Sequence, residues 1–231
     1  MNYIRRRGMG FQPMGHGLEG HATSEHRQDA HGASLEIRQG SYLPHWTRDG
    51  SIYSVTFRLA DSVPRIVVEA WLAERENIIR TARQMGRSLS EDEEKRLRYL
   101  FSEKLDKYMD AGHGSCWMRC DRIARVVADA LQHFEGERYR LFAWCIMPNH
   151  VHVVVQPLPT HKLPSILHSW KSFTANQANK VLNRTGKFWQ PEYYDHVVRD
   201  EDDLVRSVEY VLCNPEKAGL EDWEWVGGGT I

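Results

Sequence analysis

The chain has 231 residues, of which 41% are hydrophobic and 26% are charged. This length and composition suit one domain with a sizeable core and some extensions. The formal net charge of -1 excludes a global basic field, so any surface that binds nucleic acid has to be local.

The first 40 residues differ in composition from the rest of the chain. They are rich in glycine, histidine and arginine and have few periodic apolar positions. Such a segment buries too little apolar surface to offset its ordering entropy. We therefore predict a disordered tail over residues 1–40, one domain over residues 41–223 and a flexible C-terminus over residues 224–231.

The cysteines and the apolar runs bear on the cellular location. Cys116, Cys120, Cys145 and Cys213 are few and scattered, which favours a reducing compartment. Cys116 and Cys120 have no second Cys/His pair at zinc-ribbon spacing, so a zinc site there is disfavoured. No run of 18 apolar residues is present, and no signal-peptide core follows the N-terminal arginines. We expect a cytoplasmic protein that does not enter a membrane.

After the tail, strand patterns and helix patterns follow one another. A β-prone run over 51–59 precedes two amphipathic helices over 64–112, with a capping-box pattern at Ser90 and Glu93. The further predicted elements are a helix over 121–134, strands over 139–146 and 150–156, a helix over 163–182, a strand over 193–199 and a final helix that ends at 214–215. This order suits an α+β fold, an antiparallel sheet with helices on one face, into which the hairpin over 64–112 is inserted.

Two histidines stand out in the second of the adjacent strands. His150 and His152 are separated by one residue, and successive strand side chains alternate between faces, so both rings lie on the same face. They can converge on one metal ion. A solvated or hydrogen-bonded strand face is the alternative when the pair is taken alone.

The helix over 163–182 and the segment after it carry a one-sided charge. No aspartate or glutamate occurs between Thr160 and Pro191. Lysines and arginines are interleaved there with aromatic residues, a pattern typical of a surface that contacts phosphates, although an ordinary solvated helix face is the alternative. The candidate DNA-binding residues are Lys171, Lys180, Arg184, Lys187, the possible stacking platform Trp189 and, on the final helix, Arg206.

The final helix carries two further residues that could act together with the histidine pair. Tyr210 and Asn214 lie one helical turn apart and share a face. A tyrosine hydroxyl is a competent nucleophile at phosphorus when it loses its proton and a metal polarises the phosphate. Asn214 can supply an oxygen ligand to a hard metal ion.

Three segments resemble one known family. Residues 143–152, AWCIMPNHVH, resemble the HUH motif of single-tyrosine transposases, and residues 188–196 and 208–220, FWQPEYYDH and VEYVLCNPEKAGL, look like signatures of the REP-associated tyrosine transposases within that class. The resemblance implies that His150 and His152 are metal ligands, that Asn214 completes the metal site and that Tyr210 is the nucleophile. It also implies a ferredoxin-like sheet.

The chemistry that the resemblance implies is cleavage and rejoining of single-stranded DNA through a transient 5′-phosphotyrosine. The expected cofactor is a divalent metal, Mg²⁺ or Mn²⁺, and the expected partner is single-stranded or hairpin DNA, bound by a monomer or a homodimer. Two other functions remain open. One is a ferredoxin-like nucleic-acid-binding domain with a structural metal and no catalysis, and the other is a metal-dependent hydrolase that uses bound water.

Overall fold

The structure is a computed structural model that describes residues 25–28, 34–39, 44–47, 50–93, 96–97 and 103–228. Its strands are β1 (Glu25–Gln28), β2 (Ser34–Gln39), β3 (Pro44–Thr47), β4 (Tyr53–Arg58), β5 (Tyr139–Ile146), β6 (His150–Pro157), β7 (Tyr194–Val197) and β8 (Val226–Gly228). Its helices are α1 (Arg65–Gln84), α2 (Glu103–Asp110), α3 (Asp121–Gln132), α4 (Leu163–Val181), α5 (Glu201–Leu212) and α6 (Asn214–Lys217). A 3₁₀ turn covers Trp117–Arg119.

The central sheet is antiparallel and has the strand order β7-β4-β6-β5-β8. Within it, β4, α3, β5, β6, α4 and β7 follow the order of a ferredoxin-like unit, with the first strand of the unit next to both its third and its last. The predicted α+β fold with an antiparallel sheet is therefore confirmed. Helices α3 and α4 pack on one face, against a core that includes Val151, Val153 and Val155.

The final helix lies on the opposite face of the sheet. Leu204, Val208 and Val211 of α5 pack against Cys145 and Val154. The prediction of helices on one face thus holds for the ferredoxin-like unit but not for α5. Because Val154 alternates with Val153 and Val155, the side chains of β6 at even-numbered positions point towards α5.

A β-bulge in β5 sets which of its side chains share that face. The register with β6 shifts between Leu141 and Ala143. As a result Phe142, Ala143 and Cys145 all belong to the core under α5, whereas Leu141 belongs to the core under α3 and α4. The extra residue changes the alternation of the strand, and Cys145 is placed opposite His152.

The predicted helical hairpin is present in the described residues. Its helices α1 and α2 share a small core that contains Trp71 and Met109. The capping box is also present, because the Ser90 N–H donates to the Glu93 carboxylate at 2.9 Å and the Glu93 N–H donates to Ser90 Oγ at 3.2 Å. Residues 94–95 and 98–102 of the hairpin lie outside the described part of the chain.

Both chain ends differ from their predictions. Within the tail predicted to be disordered, β1 and β2 pair antiparallel and β3 extends them to a separate three-stranded sheet. The other residues of the tail lie outside the described part. At the C-terminus, predicted to be flexible, β8 pairs with Ala143–Cys145 of β5. Gly227 permits this pairing, because a Cβ there would lie 2.7 Å from the Trp144 ring.

Membrane insertion was not expected from the sequence. In the described part of the chain, no helix has the length and apolar character needed to cross a membrane.

Candidate active site

The two histidines of β6 lie side by side beneath α5. His150 is fully buried and His152 is 2% exposed. Their Nε2 atoms are 2.9 Å apart and their ring centroids 4.6 Å apart. The strand alternation therefore brings both rings to one face, as predicted.

Neighbouring side chains fix the orientation of each ring. The Asn149 amide nitrogen donates to the carbonyls of Met109, at 3.0 Å, and His113, at 2.8 Å. Its Oδ1 is therefore the atom that faces His150 Nδ1 at 2.7 Å, and Nδ1–H must be the donor. This leaves the lone pair of His150 on Nε2, the atom that points to the second histidine.

His152 is held by the strand next to it. Thr56 of β4 is its register partner, and Thr56 Oγ1 lies 2.7 Å from His152 Nδ1. With the lone pair of His150 on Nε2, His152 Nε2–H donates across the pair and the Thr56 hydroxyl donates to Nδ1. A hydroxyl can also accept, so Thr56 supports either tautomer of His152, including the one that frees its Nε2.

Burial keeps both imidazoles neutral. It lowers the pKa of His152 to about 3, and burial followed by the neighbouring His152 holds the pKa of His150 well below its usual range. A neutral imidazole is the form that ligates metal ions. The pair can therefore donate electrons to a metal near neutral pH.

The tyrosine singled out in the sequence reaches the histidine pair, and the side chain of the asparagine reaches the tyrosine. The ring centroid of Tyr210, on α5, lies 5.4 Å from that of His152 in an edge-to-face contact. Asn214 opens α6 and is 1% exposed, and its Oδ1 has no hydrogen-bond partner among the described residues. The Nζ of Lys217 lies 5.1 Å from the Tyr210 ring centroid. One chain thus brings together His150, His152, Tyr210 and Asn214.

The sequence interpretation missed two carboxylates that the hairpin contributes. Tyr210 Oη donates to Asp106 Oδ2 at 2.8 Å. Asp110 Oδ1 lies 3.6 Å from His150 Nε2 and has no hydrogen-bond partner in the described part of the chain. Asp110 is in the last turn of α2, where a carboxylate is unfavourable for the helix dipole, and Asp106 lies one turn earlier. The position of Asp110 was the available signal.

Burial raises the pKa of two groups in this site. The pKa of the Asp110 carboxyl is raised to about 6, against a lowering by the nearby Lys217. The pKa of Tyr210 is raised well above its usual range, first by burial and then by the negative charge of Asp106. The hydroxyl is therefore protonated near neutral pH in this arrangement.

The donor atoms of the histidine pair and Asn214 suit a divalent ion, although the described His, Cys, Asp and Glu side chains alone do not form a metal-binding group here. Among the described residues, no group of three or more His, Cys, Asp or Glu side chains could hold a metal ion. The relevant set is mixed, with two imidazole nitrogens and the orphaned amide oxygen of Asn214. The 2.9 Å between the Nε2 atoms is close to the ~3 Å expected between adjacent ligands at ~2.1 Å from one octahedral ion.

The predicted basic surface lies on the other side of the sheet, on α4 and the segment after it. A groove of about 540 Å³ runs along α4 and is lined by Lys171 and Lys187. Lys180 and Lys187 are exposed. The Arg184 guanidinium donates to the Lys187 carbonyl at 3.2 Å. Lys171 donates to the carbonyl of Pro191 at 2.7 Å, and burial lowers its pKa to about 8.

Two of the candidate DNA-binding residues do not fit this surface. Trp189 is 5% exposed, and its indole N–H donates to Thr174 Oγ1 at 2.8 Å. A buried ring cannot stack on a base, so its prediction as a stacking platform is wrong. Arg206 is exposed on α5, with its guanidinium 3.5 Å from Asp203. The sheet separates it from the residues of α4.

The comparison with known proteins concerns the segment that carries the histidines and the tyrosine. Residues 120–212 match the family described as "Transposase IS200 like". The matched segment contains His150, His152 and Tyr210, whereas Asp106, Asp110 and Asn214 lie outside it.

Two curated relatives agree with the resemblance drawn from the three motifs. The chain is 26% identical over 134 residues to a protein of Haemophilus influenzae named "Putative REP-associated tyrosine transposase", a match that covers 46% of this chain and 72% of that protein. It is 25% identical over 91 residues to the "REP-associated tyrosine transposase" of Escherichia coli K12, which covers 37% of this chain and 52% of that protein. The resemblance is thereby confirmed.

One solved structure is similar over most of both chains. Its title is "Structure of the REP associates tyrosine transposase bound to a REP hairpin". The similarity covers 81% of this chain and 82% of the other, with 14% sequence identity and a TM-score of 0.45.

Proposed function

We propose that this protein is a metal-dependent single-stranded DNA endonuclease and strand transferase, a transposase of the HUH type, in which Tyr210 is the nucleophile. The observation that carries the proposal is the 5.4 Å between the ring centroids of Tyr210 and His152 within one chain. A nucleophile has to lie beside the groups that stabilise the reacting phosphate. The family of the matched segment supports the same chemistry.

A divalent ion, Mg²⁺ or Mn²⁺, fits the donor atoms of His150, His152 and Asn214. When bound, it would supply Lewis-acid polarisation of the scissile phosphate and stabilise the negative charge that develops there. The orphaned Oδ1 of Asn214 and the two neutral imidazoles support this assignment. Asp110, whose unpartnered Oδ1 is 3.6 Å from His150 Nε2, would add a negative charge next to the ion.

The reaction is a transesterification in which this chain's tyrosine acts first. The Oη of Tyr210 bonds to phosphorus and the bond from phosphorus to the 3′ oxygen breaks, which leaves a 5′-phosphotyrosine and a free 3′-hydroxyl. A 3′-hydroxyl that attacks the phosphotyrosine reverses these changes and joins two strands. The number of phosphodiester bonds is conserved, so the reaction needs no external energy source.

The DNA would be held by phosphate contacts along the groove of α4. Lys180 and Lys187 are exposed there and have no nearby carboxylate in sequence between Thr160 and Pro191, which favours binding of a polyanion. The names of the curated relatives point to REP elements as the target. Because Tyr210 lies by the histidines of its own chain, we propose that a monomer is sufficient for cleavage.

A denaturing gel tests this proposal. The full chain is incubated with Mn²⁺ and a labelled hairpin oligonucleotide with a single-stranded flank. The expected result is a covalent protein–DNA adduct that is lost in Tyr210→Phe and retained in the control Tyr108→Phe, since Tyr108 packs against Trp71 in the hairpin. Cleaved DNA without an adduct would favour the hydrolase, and binding without cleavage would favour the non-catalytic domain.

A further inference from the structure

The hydroxyl of Tyr210 contacts a carboxylate that the matched family segment does not contain. Asp106 Oδ2 accepts the hydrogen bond of Tyr210 Oη at 2.8 Å. Asp106 belongs to α2, in the hairpin that precedes residues 120–212 of the family match. The insertion therefore reaches the atom that has to attack phosphorus.

We propose that Asp106 is the general base for Tyr210, an inference that rests on the proposed function. As the bond from Tyr210 Oη to phosphorus forms, the phenolic proton passes to Asp106 Oδ2. The electron pair of the breaking bond stays on the 3′ oxygen, which takes a proton from water to become the hydroxyl. In the rejoining step the Asp106 carboxyl returns its proton to the departing phenolate oxygen, while the attacking 3′-hydroxyl gives its proton to water.

The attacking oxygen carries a proton in the structure, because Tyr210 Oη donates to Asp106 Oδ2 at 2.8 Å. This proton has to leave as the bond to phosphorus forms. A general base within hydrogen-bond distance removes the proton during attack and does not require the free phenolate beforehand. The 2.8 Å contact already has the length that such a transfer requires.

The other charged and titratable groups around Tyr210 are less suited to this role. Both ring nitrogens of His152 are engaged, with Thr56 and with His150. The free carboxylate oxygen of Asp110 faces His150 at 3.6 Å. Lys217 is a cation and lies 5.1 Å from the ring centroid.

Two more polar side chains face this part of the site. Asn214 forms a side-chain hydrogen bond with Tyr210, but an amide is not a base near neutral pH. Burial raises the pKa of Tyr194 of β7, and the negative charge of Asp106 raises it further. Asp106 is thus the one carboxylate among the described residues with a hydrogen bond to the nucleophile.

The test compares Asp106→Asn with wild type and with Asp92→Asn, which removes an exposed carboxylate elsewhere in the hairpin. The rate of adduct formation is measured in a single turnover. We expect Asp106→Asn to be slower by about 10²- to 10⁴-fold, with hairpin affinity and Mn²⁺ affinity, measured without cleavage, changed less than about threefold. Asp92→Asn should match wild type.

The pH profile and a chemical rescue separate proton transfer from a structural role. The wild-type rate should depend less on pH than the rate of Asp106→Asn, which should keep rising with hydroxide concentration because it has no carboxylate to accept the proton. Added formate should restore part of the rate of Asp106→Ala, because a small carboxylate can enter the space of the missing one. A merely structural role would give no rescue.

The outcomes for this inference differ from those for the proposed function. If wild type forms the adduct and Asp106→Asn forms it equally fast, Asp106 is not the base although Tyr210 remains the nucleophile. If the rate of Asp106→Asn falls only in parallel with DNA or Mn²⁺ affinity and formate does not rescue Asp106→Ala, the inference also fails. If wild type forms no adduct, both fail.

Discussion

The side chain of Asn149 links the inserted hairpin to the first histidine, so its removal should weaken both. It is fully buried and makes hydrogen bonds to the Met109 carbonyl, the His113 carbonyl and His150 Nδ1 at 3.0, 2.8 and 2.7 Å. At a net ~1 kcal/mol for each buried hydrogen bond, Asn149→Ala should lower the free energy of unfolding by about 3 kcal/mol. That corresponds to a fall in Tm of about 6 to 12 °C for a chain of this size.

The same variant should reduce metal affinity. Without the Asn149 oxygen, His150 loses the partner that fixes its Nδ1–H tautomer, and loss of such a partner typically costs about 10- to 100-fold in metal affinity. Urea unfolding measures the stability, and titration of free Mn²⁺ by electron paramagnetic resonance measures the affinity. Asn149→Asp should be compared with Asn149→Ala, because it keeps an oxygen that accepts from His150 Nδ1 but loses the N–H groups that donate to the two carbonyls.

The two variants should therefore separate the two effects. Asn149→Asp should be destabilised like Asn149→Ala but should keep its Mn²⁺ affinity. Gln156→Ala, which removes one exposed hydrogen bond to the Gly50 carbonyl on the same strand, should change stability by less than about 1 kcal/mol. An unchanged Tm in Asn149→Ala would refute the link to the hairpin, and an unchanged Mn²⁺ affinity would refute the role in orienting His150.

Three further predictions concern other parts of the chain. Burial lowers the pKa of Lys171 from 10.5 to about 8, so between these pH values the unfolded state binds more protons than the folded state. The free energy of unfolding of wild type, measured with urea and compared with that of Lys171→Met, should therefore rise from pH 8 to pH 10.5. Gly114→Ala should lower stability by about 1 to 3 kcal/mol, because φ is +88° and the new Cβ would meet the Asp61 carbonyl oxygen at 2.7 Å. Gly136→Ala, with φ +77° and nothing within 4 Å, should lose less, and equal losses would exclude the clash. Lys187→Gln should reduce the slope of log affinity for hairpin DNA against log salt by about 1, and an unchanged slope would exclude its phosphate contact.

Local patterns predicted the elements around the histidines well. The predicted strands over 139–146 and 150–156 correspond to β5 and β6 almost residue for residue. Aromatic residues in β5, valines in β6 and a turn at Pro148 and Asn149 leave little freedom there. The acidic start of the final helix also has a local explanation, because Asp200 caps α5 by accepting from the Asp203 N–H at 2.8 Å.

The face on which α5 packs could not be predicted in this way. An amphipathic helix fits either face of a sheet whose two sides are both apolar, and β6 has apolar residues on both sides. The bulge between Leu141 and Ala143 changes the alternation of β5, and its position depends on cross-strand hydrogen bonds. Strand β8 likewise depends on pairing with the distant β5, which composition does not reveal.

The carboxylates of α2 were missed because their meaning depends on contacts far apart in the sequence. Asp106 meets Tyr210 across 104 residues. Sequence spacing shows only that Asp106 and Asp110 share a face of α2. The position of Asp110 at the C-terminal end of that helix is unfavourable for its dipole, but the local sequence does not show that its carboxylate faces His150.

The hairpin is therefore more than an insertion at the edge of a finished site. The Asn149 amide nitrogen takes its acceptors from Met109 and His113, at the end of α2 and just after it, and this leaves the Asn149 oxygen to orient His150. The same helix places Asp106 at the Tyr210 hydroxyl. The orientation of His150 on β6 and the proposed proton acceptor for Tyr210 on α5 both depend on α2, so a variant without the hairpin should lose the arrangement of both halves of the candidate site, even where β6 and α5 kept their fold.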